Sequence, residues 1–520
     1  MIEAQEKKDK YAELIETLIK IGAALSAEKD PQKLLKLILS SAMELTHADG
    51  GTLYLVEKEV ELNFAILANK TLHIPPSSAA EARLPVVALP LYVNNKPNLK
   101  NVASYCYHQN KSVNIDDAYH TEGFDFTGMK NTDTKFGYRS TSFLTIPLRD
   151  HENTRIGVLQ LINAIDEDSG KVIPFSEERI LVAESLASQA AITLTKERLI
   201  LAQKKLFEAF LELIAKAIDE KSHYTSNHCK RVPLLTNMIA HAMNKANTGP
   251  LSDMHFTADQ MEELNVAAWL HDCGKIVIPE YVMDKATKLE TLTDRIEVVN
   301  ARFEIIKRDL KIAHLEKKLS AEDYKIQLEE INKAQEFINK ANTGGEYISP
   351  EDKNKIQEIG TKNRYANGHA NNPLLTEDEI ANLSIARGTL NDKERQTIQN
   401  HVKITYSMLS SLPYPDYLKN VPIIAGSHHE RMDGKGYPNG ITKDALTVQA
   451  RIVAIADVFE ALTSADRPYK TAKTLKEVLG LMNDMRNAGH IDPDIYDLFI
   501  NEKLYLEYAK KYLKPEQIDA

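Results

Sequence analysis

The sequence predicts an α+β domain, a long connecting helix and an all-α domain that carries a helical insertion. Three observations predict this. Short apolar, β-prone runs follow residue 50, with SFLTIPL and IGVLQLINA the clearest. No proline or glycine interrupts residues 175–222, whose apolar positions recur every three to four residues. Beyond residue 223 the helical pattern dominates and no regular strands appear. A chain of 520 residues also has room for two or three domains, since single cores rarely grow past about 250–300 residues.

Residues 1–29 form an amphipathic helix by pattern, with Leu14, Leu18, Ile21 and Leu25 at helical spacing. Asp30-Pro31 restarts a helix through LLKLILSSAMEL, because proline suits a first helical turn. Strands bracketed by helices make residues 30–195 one α+β domain. Residues 176–222 are the connecting helix, whose length suits a homodimer seam; a bent pair of packed helices is the alternative. Residues 223–510 form the helical domain, interrupted by an insertion at about 292–385. The insertion reads as two charged amphipathic helices, with Ser320 and Asp323 capping the second. TKNRYANGHANNP then reads as loop, and Thr376 with Glu379 caps the return to helix.

Hydrophobic residues make up 43% and charged residues 27%, as in soluble globular chains. A net charge of -10 argues against general nucleic-acid binding and against a basic membrane-binding surface. Cys106, Cys229 and Cys273 are far apart and lack CxxC spacing, so neither a disulfide framework nor a thiolate zinc site is expected. The charged, helical N-terminus is unlike a signal peptide, and no apolar run is long enough to span a bilayer. A cytoplasmic protein is expected.

The chemistry lies in scattered imidazoles and carboxylates. WLHDCGKIVIP supplies adjacent His271 and Asp272, with Lys275 one helical turn beyond His271. YTSNHCKRV supplies His228, NHVKITYSML supplies His401, and HHERMDGKGYPNG supplies His428 and His429. ARIVAIADVFEALTS places Asp457 among core-like residues, where an unpaired carboxylate is very costly and a metal is one of the few remedies. Five histidines and two aspartates suffice for two cations. Imidazole and carboxylate without thiolate suit iron or manganese, and also zinc, nickel or cobalt. Two such cations activate water and stabilise charge in an in-line displacement at phosphorus. His223, His241, His255, His314 and His490 receive no functional reading, and Trp269 is read as core.

HDCGK, HHERMDGKGYP and ADVFEALTSADRPYK together resemble the HD-GYP family, a branch of the HD phosphohydrolases. The resemblance implies an all-α bundle that hydrolyses cyclic di-GMP to pGpG and/or GMP, as in bacterial signal transduction. It implies metal ligation by His228, His271, Asp272, His401, His428, His429 and Asp457, with Asp272 bridging a binuclear site and with Asp272 and Lys275 catalytic. Substrate contacts are expected from Gly436, Tyr437, Pro438, Arg431, Lys435, Arg467 and Lys470. Tyr224 stands where some members carry a glutamate for a third metal, so two metals are expected. The clamp reads RPYK with one extra residue before it, and Cys273 fills a slot that is usually aliphatic. Cyclic GMP-AMP or another phosphoester is the alternative substrate; a catalytically inactive nucleotide- or partner-binding module is the alternative class.

ADGGTLYL, GYRSTSFLTIPL and IGVLQLINAIDEDSGKVIPFSEE resemble a GAF domain. Asn163 is followed by Ala164 instead of the lysine of cyclic-nucleotide-binding members, although Phe175 and Glu178 persist. The domain is expected to regulate the phosphodiesterase through the connecting helix, either with a small-molecule ligand or as a ligand-free dimerising unit.

Overall fold

A computed structural model describes residues 2–28, 30–78, 80–81, 88–221, 227–345, 347–367, 370–464 and 473–519. The chain divides into two compact units, Met1–Leu206 and Phe207–Ala520.

In the first unit a helix spans Ile2–Ala27 and a second spans Pro31–Thr46. Asp30 caps the second, its carboxylate accepting the Gln32 and Lys33 N–H groups. An antiparallel sheet follows, its strands ordered Ile74–Ser77, Glu61–Asn69, Ala48–Glu57, Arg155–Ile165, Phe143–Arg149 and Val113–Ile115. One face packs on Leu34, Ile38 and Leu39 and on Ala183, Ala187, Ala190 and Ala191 of the Glu177–Lys221 helix, where small side chains permit close approach. The other face buries Tyr54, Leu62, Cys106 and Val158. Asn163 adopts the left-handed conformation at φ 57°. Its amide accepts the Thr141 and Ser142 N–H groups and donates to the Arg139 carbonyl and the Tyr138 hydroxyl. This asparagine therefore has a structural reason to be present whether or not a nucleotide binds.

The second unit is helical around a core that includes Leu235, Ile239, Leu264, Ile424, Ile452, Phe459, Met482, Phe499 and Tyr508. The Val448–Thr463 helix is buried along most of its length, which explains its apolar sequence. Among the described residues, no helix is long and apolar enough to cross a membrane.

Residues 292–385 depart from expectation in two ways. A third helix, Pro350–Lys362, follows Ile296–Leu315 and Ala321–Asn342. The stretch read as loop contains an antiparallel hairpin, Arg364–Asn367 with Ala370–Pro373, so the second unit is not free of strands. Its polar, Asn-rich composition hides the hairpin, because Tyr365 is the one large apolar ring that its strands turn onto the neighbouring core and no apolar alternation results. Val299, Phe303, Ile338, Ile356, Leu374 and Leu383 give this segment a hydrophobic core of its own.

Its two ends are tied together by lysines. Lys288 is fully buried and donates to the carbonyls of Leu383 and Ile385 at 3.1 and 2.8 Å. Lys285 pairs with Glu394 at 2.8 Å. Burial lowers the Lys288 pKa to about 8. Between that value and the ordinary lysine range the unfolded chain binds more protons than the folded one, so stability rises with pH across that window. Lys288→Met is expected to remove this component, on the order of 1–3 kcal/mol between pH 8 and 10.5. Urea unfolding of both proteins across that range measures it.

Candidate metal centre

Local signals set each contributing element. Thr257 and Gln260 form a capping box that starts the Ala258–Leu270 helix, and His271 stands at its C-terminal end. Asp272 precedes the tight helical turn Cys273–Val277. That turn lies against the Asp392–Ser410 helix, which carries His401. A Cβ on Gly274 would stand 2.0 Å from the His401 carbonyl oxygen, so only glycine permits the approach. The Gly274 N–H donates to the Thr405 hydroxyl at 2.9 Å, and that hydroxyl donates to the His271 carbonyl at 3.2 Å. His428 and His429 follow the short Val421–Ala425 helix, Asp457 lies on Val448–Thr463, and His228 begins His228–Lys245.

These residues, distant in sequence, meet in one place. His228 Nε2 lies 3.4 Å from Asp272 Oδ2 and 3.3 Å from Asp457 Oδ1. His271 Nε2 lies 3.3 Å from the same Asp272 oxygen and 4.0 Å from the same Asp457 oxygen. The other Asp272 oxygen, Oδ1, is 3.3 Å from His401 Nε2 and 4.0 Å from His428 Nε2. The other Asp457 oxygen, Oδ2, is 4.0 Å from His429 Nδ1. Two donor groups result, His228–His271–Asp272 and His401–His428–His429, each with its donor atoms within 4.8 Å of one another. Each carboxylate turns one oxygen toward either group.

The ring orientations bear on what the centre can hold. His271, His401 and His428 donate from Nδ1 to the carbonyls of Ala268, Ile398 and Ala425, at 2.7, 2.6 and 2.6 Å. Each Nε2 is thereby left as a lone pair aimed inward. The Nε2 atoms of His228, His271, His401 and His428, together with Asp272 Oδ1, are buried without a hydrogen-bond partner. Five such orphans converging in one core fit a pair of cations, since a buried polar atom without a partner is otherwise costly.

Burial opposes charge on both carboxylates. Lys275 nonetheless holds Asp272 well below the usual range, and His228 does the same for Asp457. Lys275 Nζ sits 2.5 Å from Asp272 Oδ2. Burial also opposes charge on Lys275, yet Asp272 and Asp457 keep its pKa above the ordinary value. Burial pushes His429 down to about 4 and His428 well below its ordinary value, so both are neutral at pH 7. For His228 burial is outweighed by Asp272, Asp457 and Glu460, which hold its pKa well above the ordinary range.

The HHE loop is organised by its glutamate. The buried Glu430 carboxylate accepts the N–H groups of Asn439, Gly440 and Ile441 at 2.7, 3.2 and 3.1 Å. Gly436 lets the backbone fold onto Glu430, since a Cβ there would approach the Glu430 Cα to 2.5 Å. The Tyr437 N–H donates to the His429 carbonyl, the Tyr437 ring packs 4.8 Å from the His429 ring, and Pro438 continues the loop. Arg431 forks onto Asp433 at 3.0 and 2.7 Å, and Lys435 Nζ lies 3.9 Å from Asp433. Arg467, Lys470 and Tyr224 lie outside the described residues. Glu430, Thr405, Arg231 and Glu460 were not singled out from the sequence. Glu460 could have been, as a second acidic residue three positions after Asp457 on a mostly apolar helix.

Two family models match parts of the chain. Residues 30–194 match the GAF domain model, and residues 374–495 match the HD domain model. The chain carries a GAF domain and an HD domain. The HD match includes His401, His428, His429 and Asp457, whereas His228, His271, Asp272 and Lys275 precede it. The chain is similar to the 3'3'-cGAMP-specific phosphodiesterase 1 of Vibrio cholerae, with 36% identity over 140 residues, 26% of this chain and 30% of that protein. It is 39% identical over 120 residues to the cyclic di-GMP phosphodiesterase response regulator RpfG of Xanthomonas campestris, 23% of this chain and 31% of that protein. A cyclic di-GMP phosphodiesterase of Thermotoga maritima is 33% identical over 132 residues, 25% of this chain and 34% of that protein. The matched stretches thus span about a third of the length of these relatives.

With Asp272, Asp457 and Glu460 holding the His228 pKa well above its ordinary value in the cation-free helical domain, a cation that engages its Nε2 must displace a proton. Affinity is expected to rise about tenfold per pH unit up to the His228 pKa, with about one proton released per chain. Calorimetry with Mn(II) in buffers of different ionisation enthalpy measures the release, which His228→Ala should abolish.

Proposed function

We propose that the helical domain is a metal-dependent phosphodiesterase that opens cyclic di-GMP to pGpG and/or GMP under control of the GAF domain. The observation that carries the reading is the pair of donor groups joined through both oxygens of Asp272, with lone pairs converging on a buried centre. His228, His271, Asp272 and Asp457 would hold one divalent cation; His401, His428, His429 and the remaining carboxylate oxygens would hold the other. The absence of thiolate among these donors favours iron or manganese over a soft metal, with zinc, nickel and cobalt also compatible. Bound there, such a pair supplies an acidified water and positive charge at the phosphorus centre. Asp272 orients both halves, and Asp457 does so from the opposite helix. Lys275, kept charged beside Asp272, is a hydrogen-bond donor rather than a base, suited to a phosphate oxygen or to the departing oxygen. Tyr437, its ring beside that of His429, with Gly436 and Pro438, would form one wall of the substrate site. Arg467 and Lys470 are the proposed phosphate clamp. Cyclic GMP-AMP is the second reading, because a relative at 36% identity is named as specific for it.

Turnover of both cyclic dinucleotides by anaerobically prepared, Fe(II)- or Mn(II)-loaded protein tests the proposal. Asp272→Asn is expected to lower kcat by at least about 10³-fold, and Lys275→Ala by about 10²–10³-fold. Undiminished turnover by Asp272→Asn would move catalysis away from this centre.

For the GAF domain the proposal is a regulatory role in the cytoplasm. A groove of about 680 Å³ beside Met43, Ala68, Asn69, Lys70 and Ile74 offers space for a small molecule. We further infer homodimerisation through the connecting helix. Ile192, Leu199, Leu206 and Leu213 recur every seven residues along Glu177–Lys221 and are exposed. That period supplies one of the two seam positions of a coiled-coil heptad, with Thr195, Ala202 and Ala209 three residues on at the other, and a second copy of the same helix matches it. Leu199→Glu with Leu206→Glu is expected to convert a dimer to a monomer in light scattering, with no change in the folded helical content.

A further inference from the structure

We propose that Glu460 is a positioning residue that makes the His228 side of the centre the tighter of two cation sites. The inference rests on the two-cation reading above. His271, His401 and His428 are each oriented by a neutral backbone carbonyl three residues earlier. His228 is the first residue of its helix, so no upstream helical carbonyl is available to it. Its Nδ1 instead meets Glu460 Oε2 at 2.5 Å, and Arg231 Nη1 holds the other Glu460 oxygen at 3.3 Å. Glu460 is only 1% exposed, so its carboxylate has no solvent to turn to. A charged acceptor at Nδ1 makes the opposite ring nitrogen a stronger electron donor than a carbonyl does, and it fixes the plane of the ring. No counterpart supports His401 or His428, and the Nδ1 of His429 faces the centre itself, 4.0 Å from Asp457. The two donor groups are therefore chemically unequal although both are rich in imidazole. The Arg231 guanidinium keeps the Glu460 carboxylate aligned on His228 and away from the cation, so Glu460 supports a ligand without being one.

Mn(II) binding to the full chain, followed by calorimetry and by electron paramagnetic resonance, tests this. The wild-type chain is expected to take up two ions in two resolved steps. Glu460→Gln keeps an acceptor for Nδ1 but removes its charge, and should weaken the tighter step about 10–100-fold while the weaker step moves less than about twofold. Glu460→Asp should weaken the same step by less, and His228→Ala should eliminate it. His428→Ala should act on the other step. Circular dichroism of the metal-free variants checks folding, and Glu460→Asp carries the test if Glu460→Gln does not fold. Equal weakening of both steps, or no weakening of either, overturns the role of Glu460. A wild-type chain that binds no Mn(II) overturns the two-cation reading itself, an outcome separable from the first because it needs no variant.

Discussion

Two carboxylates buried among five imidazoles set the terms for the whole helical domain. Asp272 and Asp457 each turn one oxygen to His228 and His271 and the other toward the remaining histidines. Removing two such charges from water costs several kcal/mol each unless opposite charge is brought in. Lys275 supplies one positive charge at Asp272. A proton on His228 meets part of the remaining demand, and a cation in its place would couple occupancy of the centre to folding of the bundle. Glycine at 274 and the Thr405 hydroxyl serve the same end, since they allow the His271–Asp272 corner to sit directly on the His401 helix.

How much of this was legible in the chain depends on the range of the interaction. The GAF strands at 143–149 and 155–165 were readable because they are central and buried, and their apolar runs state that burial directly. The restart at Asp30-Pro31 and the long helix to Lys221 were readable from capping chemistry and from missing breakers. The hairpin at 364–373 and the Pro350–Lys362 helix were not, because polar elements on the rim of a small core leave little hydrophobic periodicity. In the centre, the histidines and aspartates were marked by residue type. Glu460, Arg231, Thr405 and Glu430 were not, because glutamate, arginine and threonine on helices or in loops are ordinarily solvated. Only tertiary packing shows that these are sealed in or turned inward.

The same division of range explains why the imidazoles are oriented as they are. A histidine at or after the end of a helix finds, three residues back, a carbonyl that the helix leaves without its usual partner. His271 and His428 occupy such positions, and their rings are oriented by carbonyls of their own segments. His401, inside its helix, shares the Ile398 carbonyl with the backbone ladder. His228 begins a helix and has no such device, so its orientation depends on a residue 232 positions away. One histidine of the centre is thus oriented only by the packing of two helices, while three others are oriented within their own segments. The Asp219 carboxylate of the connecting helix receives the Asn227 N–H, immediately before His228. Under the proposed regulation, a displacement of that last helical turn would reach His228 before the other histidines of the centre.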